Sequence, residues 1–66
     1  MSLSYDRLWK LLIDKQMKKT ALLEGASIST SVLAKMGRNE AVSLKNIDKI
    51  CQFLNCKIED VVEFKK

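Results

Sequence analysis

The chain has 66 residues, 47% of them hydrophobic and 30% charged, with two glycines, no proline, no histidine and a formal net charge of +4. A chain this short makes a single domain, 1–66, and buries only about 60% of the surface it exposes when unfolded. Its composition excludes a linker or a disordered tail, and no apolar run approaches the ~20 residues of a membrane span. With no secretion-signal pattern either, the expected location is cytoplasmic.

An apolar residue, a cap position, three further residues and a second apolar residue form a hydrophobic staple at a helix start. The pattern recurs as Leu3/Leu8, Met17/Leu22, Ile28/Leu33, Val42/Ile47 and Cys56/Val61, with caps Ser4, Lys18, Ser29, Ser43 and Lys57. It predicts five helices. Serine hydroxyls accept orphan amides, so the first, third and fourth starts should be firm, and the two lysine-capped starts weaker. In the first helix Tyr5, Leu8, Trp9, Leu12 and Ile13 follow the spacing of one buried stripe, with Asp6, Arg7, Lys10 and Asp14 opposite. The second and third helices are short, Lys19 to about Gly25 and Ser29 to about Met36, and persist only by packing on their neighbours through Leu22, Leu23, Ala26, Leu33 and Met36. Gly37 to Glu40 form a polar loop. The fourth helix turns Leu44, Ile47, Ile50, Cys51 and Leu54 inward and ends at Asn55, a residue that tolerates the left-handed conformation. The expected core joins Leu8, Trp9, Leu12, Leu22, Leu33, Ile47, Ile50, Leu54 and Val61.

Little here can do covalent chemistry. Histidine is absent, and the carboxylates lie among Lys and Arg at helical spacing, which reads as solvated surface, so no enzyme is expected. Cys51 and Cys56 are too few for a structural zinc site, and no metal or other cofactor is expected. On a continuous helix they would point about 140° apart, so a disulfide would need a bend after Leu54.

The charge, by contrast, is organised. Between Lys15 and Arg38 stand five bases (Lys15, Lys18, Lys19, Lys35, Arg38) against one acid, Glu24, whereas the segments before and after are balanced. Positive charge focused on two short helices and a turn suits a polyanion. Lys19 falls at the first turn of the second helix, where a phosphate can meet its ammonium together with free backbone amides. On the third helix the outward Thr30, Ser31, Ala34 and Lys35 make a smooth face able to enter a major groove.

The stretch Lys19 to Arg38, with Leu22 and Leu23, the turn Ala26-Ser27-Ile28-Ser29, and Leu33 and Met36, resembles the helix-turn-helix of the Cro/cI, or XRE, family of transcriptional regulators. Leu8-Trp9-Lys10-Leu11-Leu12-Ile13-Asp14-Lys15 and Ile50-Cys51 with Leu54-Asn55-Cys56 extend the resemblance over almost the whole chain. It implies an all-α, compact five-helix phage-repressor-like domain with its helix-turn-helix at about 19–37, the third helix lying in the major groove of double-stranded DNA. Carried over by position, phosphate contact falls on Lys19, base-edge contact on Thr30, Ser31, Ala34 and Lys35, and the groove-facing cap on Ser29. Further phosphate contacts fall on Arg38, Asn39, Ser43 and Lys45.

Three residues depart from the family pattern: Lys18 where Thr or Ser is usual, Gly25 where a small or polar non-glycine residue is usual, and Ser27 where the turn glycine stands. The first two are expected to loosen the second helix, and the third leaves open whether the turn keeps a left-handed residue. The reading face also lacks Gln, Asn and Arg, so sequence discrimination should be modest or lean on Lys35 and DNA shape. The resemblance implies a small bacterial repressor. The alternative is a protein-interaction or antitoxin-like module of the same fold. Two-fold operators imply a homodimer, joined at the C-terminal end, where Val61, Val62 and Phe64 are more apolar residues than one short helix can turn inward.

Overall fold

The computed structural model describes residues 2–66. In chain order they form strand β1 (Ser2–Ser4), helices α1 (Asp6–Asp14), α2 (Ala21–Gly25), α3 (Thr30–Gly37) and α4 (Leu44–Leu54), a single 3-10 turn (Ile58–Asp60) and strand β2 (Glu63–Lys65). Among the described residues there are four α-helices, not the five expected, and the fold is mostly helical rather than all-α. The fifth start reaches only one turn: the Lys57 amide donates to Asp60 Oδ2 at 3.1 Å, and the Asp60 amide donates to the Lys57 carbonyl at 2.9 Å. Beyond it, β-branched and aromatic residues favour an extended chain over another helical turn. β2 accordingly pairs antiparallel with β1, in the register Ser2 with Lys65, Leu3 with Phe64 and Ser4 with Glu63.

The two remaining serine caps work as their chemistry predicts. Ser29 Oγ accepts from the Val32 amide at 3.1 Å and Ser43 Oγ from the Asn46 amide at 3.3 Å. Ser4 does not cap α1. It lies in β1 and accepts from the Asp6 amide at 3.1 Å, while Tyr5 occupies the cap position. α2 starts two residues later than expected, since neither Lys18 nor Thr20 offers a side-chain cap and its entry is made of tight three-residue hydrogen bonds. Met17, the apolar residue before that start, is 36% exposed, while Leu22 is fully buried.

Helix ends are made by left-handed residues that are not glycine. Gln16 (φ 59°), Asn39 (φ 57°) and Asn55 (φ 53°) follow α1, α3 and α4. At the first two, paired amide-to-carbonyl bonds such as Met17 to Leu12 (2.9 Å) and Glu40 to Lys35 (2.9 Å) close the final turn. The bend at Asn55 brings the Cys56 amide to the Cys51 carbonyl at 3.0 Å and sets the two free thiols side by side. Burial, then its neighbour Cys56, pushes the Cys51 thiol up to about 11, which keeps it protonated at neutral pH.

Tyr5, Leu8, Leu12, Leu22, Ala26, Ile28, Met36, Ile47, Ile50, Leu54 and Val61 form the buried core. Of the nine residues expected there, Trp9 and Leu33 are only partly buried and pack against it. Ile13 and Leu44, expected inward, are each 73% exposed. α1 ends at Asp14 and α4 begins at Leu44, so the last and first residues of their stripes overhang the core, and Leu11 takes the inward place near the end of α1.

Candidate nucleic-acid interface

The turn between α2 and α3 is pinned by two buried apolar residues, Ala26 and Ile28, on either side of Ser27. Ser27 has φ 56°, so the turn keeps its left-handed residue without a glycine. Gly25, the last residue of α2, has a different reason to lack a side chain. A Cβ there would lie 2.2 Å from Phe53 ring carbons, so the glycine is the seat on which α4 packs against α2. Thus Gly25 does more than loosen the helix.

This turn sets α3 with Met36 buried, Val32 and Leu33 partly buried, and Thr30, Ser31, Ala34 and Lys35 exposed. At 3.6 residues per turn those four share one face, which is small, polar and ends in a single ammonium. Lys15, Lys18, Lys19, Lys35 and Arg38 are all exposed.

The other expected contact residues divide by what already occupies them. Ser29 and Ser43 spend their hydroxyl oxygens on the caps of α3 and α4, which leaves each a hydroxyl proton to donate. Asn39 Oδ1 accepts from the Tyr5 amide at 3.4 Å, leaving its side-chain NH2 as the outward group. Arg38 Nε is 2.5 Å from Glu40 Oε2. That hydrogen bond, then the charge of Arg38, holds the Glu40 carboxyl below its ordinary range, and Lys35 adds to the effect. Lys45 is exposed at the start of α4.

Beside Lys19 the amides of Ala21, Leu22 and Leu23 donate to the Lys18, Lys19 and Thr20 carbonyls at 3.0–3.1 Å, which leaves the Lys19 and Thr20 amides at the entry of α2 as the free donors there. The Lys19 ammonium stands 4.3 Å from the centroid of the Trp9 ring. This neighbour is not legible in the sequence, since Trp9 reads as part of the core stripe and only the link between α1 and α2 brings Lys19 over it. Tyr5 was also hidden: its hydroxyl donates to the Glu40 carbonyl at 2.7 Å and ties the loop after α3 to the start of α1. Burial raises the Tyr5 phenol above its ordinary value.

Two short helices around a left-handed turn, the second with an exposed polar face and a basic rim, define a helix-turn-helix DNA-binding protein. The family model for Cro/C1-type HTH DNA-binding domains matches residues 7–66, and the chain belongs to that family. Its structure is similar to the crystal structure of the transcriptional regulator VanUg, Form II, with a TM-score of 0.90 and 50% sequence identity over 94% of this chain and 83% of that one. No curated protein matches the chain significantly. Among the described residues, no helix is long and apolar enough to cross a membrane.

Proposed function

We propose that this DNA-binding protein is a bacterial, cytoplasmic transcriptional repressor that acts as a single helix-turn-helix domain and without a catalytic step. The observation that carries the reading is the α3 face: four exposed residues, none larger than Lys35, beside a rim of bases, on a fold half identical in sequence to a transcriptional regulator. α3 enters the major groove and presents Thr30, Ser31, Ala34 and Lys35 to base edges, while Lys19, Arg38, Asn39, Ser43 and Lys45 meet phosphates and Ser29 stands at the groove-facing cap. Occupying an operator excludes polymerase.

Base contacts and phosphate contacts have different signatures. Lys19→Ala is expected to weaken binding to all sequences alike and to lower the slope of log affinity against log salt by about one. Lys35→Ala is expected to change the preferred sequence, because a groove-facing ammonium reaches guanine acceptors. Selection of bound fragments from random DNA with each variant checks both. Identical losses on every sequence would reduce Lys35 to another phosphate contact, and salt-insensitive binding would favour a protein-interaction module.

Two copies complete the reading. Two copies whose α3 helices lie about 34 Å apart, one DNA turn, would place them in successive major grooves. Phe64, 63% exposed on β2, is the residue proposed to join them.

A further inference from the structure

Lys19 lies on the rim of the proposed interface, at the entry of α2, where the amides of Ala21, Leu22 and Leu23 are bonded within the chain and those of Lys19 and Thr20 are not. What holds Lys19 is an aromatic face. Its ammonium, 4.3 Å from the Trp9 ring centroid, is attracted by the electron-rich face of the indole. Trp9 is fixed in turn. It packs against the core, and its ring stands 6.4 Å from that of Tyr5 at 52°. Tyr5 is buried and anchored by its hydroxyl to the Glu40 carbonyl. Among the described residues, the ion pairs engage Arg7, Arg38 and Lys65, and none engages Lys19.

We propose that Trp9 is a positioning residue for DNA binding, whose indole holds the Lys19 ammonium where it meets a backbone phosphate. The inference rests on the DNA-binding reading above. An exposed lysine loses much rotamer freedom when it binds, and one already confined over a ring loses less. The ammonium carries three donors around one nitrogen, so the ring can hold one side while a phosphate takes another.

A double-mutant cycle tests this, with a labelled mixed-sequence DNA duplex of about 20 base pairs as the probe and fluorescence anisotropy at low salt as the readout. Trp9→Leu is expected to weaken binding about two- to fivefold, and Trp9→Phe less, since phenylalanine keeps a weaker aromatic face. On a Lys19→Met background, which keeps the side-chain stem and removes the charge, neither Trp9 change should weaken binding further. A folding defect would carry equally into both backgrounds. Should Trp9→Leu fail to fold, judged by circular dichroism, Trp9→Phe carries the same cycle. A Trp9 loss that persists undiminished with Lys19 removed overturns the inference alone, whereas a wild-type protein that leaves the duplex unbound overturns it together with the DNA-binding reading.

Discussion

Arg38 illustrates how a side chain proposed to contact DNA can already be occupied. Glu40 holds its guanidinium from two residues away and also feels Lys35, so a carboxylate stands where a phosphate is proposed to bind. Exposed pairs of this kind are weak and exchange readily, so under the proposed reading the pair would tune DNA affinity rather than block it. Glu40→Gln is therefore expected to tighten duplex binding about two- to fivefold at low salt and to steepen its salt dependence, as the freed Arg38 releases a further counterion. Titration of a labelled duplex at several salt concentrations checks this, and unchanged affinity would place Arg38 outside the contact surface. The commitments of Ser29 and Ser43 were legible in the sequence, because a cap is a local device whose donor lies three residues on. Those of Asn39 and Lys19 were not. Asn39 answers to Tyr5, 34 positions away, and Lys19 to a ring on another helix, and neither pairing leaves a periodic trace.

The helices reveal the same division between local and distant causes. α3 and α4, with serine caps and apolar spacing, begin where the sequence predicts, and α4 stops where Asn55 turns left-handed. The second and fifth starts, where the sequence offers lysine as the cap, yield a five-residue helix and a 3-10 turn. Their weakness was legible; that the C-terminal residues would become a strand was not, because a strand needs a partner and β1 lies at the other end of the chain. Ser27 carries a cost that is readable only once its φ is known. A left-handed non-glycine residue is disfavoured by roughly 1–2 kcal/mol, partly offset by the greater freedom glycine gives the unfolded chain. Ser27→Gly is expected to raise stability by about 0.5–1 kcal/mol, visible as a rise in Tm of several degrees. Gly25→Ala should do the reverse despite alanine's better helix propensity, since its Cβ would overlap the Phe53 ring. A loss of about 1–3 kcal/mol is expected in urea unfolding, and Phe53→Leu in the same chain should recover part of it. Full additivity of the two changes would show that Phe53 does not rest on Gly25.

The ends of the chain close the molecule and also leave it open. β1 pairs with β2, Arg7 Nε meets Glu63 Oε2 at 2.8 Å, and the Lys65 ammonium bonds Asp6, so the last residues are fastened to the first helix. The Arg7 guanidinium also donates to the Glu59 carbonyl at 3.1 Å. That closure buries Val61 completely but turns Phe64 outward beside exposed Leu44 and Ile58, around an apolar groove of about 260 Å³ that reaches Leu3 and Val62. The apolar excess at this end was legible in the sequence. Its geometry was not, because a helix and a strand present the same residues differently. Phe64 sits on a two-stranded ribbon at the edge of the groove, where the same patch on a second copy would cover it about a two-fold axis. Under the proposed reading, one α3 face of four residues would read too few base pairs to specify a site, and doubling it across a two-fold operator would supply both length and affinity. Sedimentation at micromolar concentration, alone and with an operator duplex, is expected to show two copies per site, and Phe64→Ala to abolish the pair while leaving the melting transition cooperative. One copy per site in both conditions would sink the dimer, and a pair that survives Phe64→Ala would move its interface elsewhere.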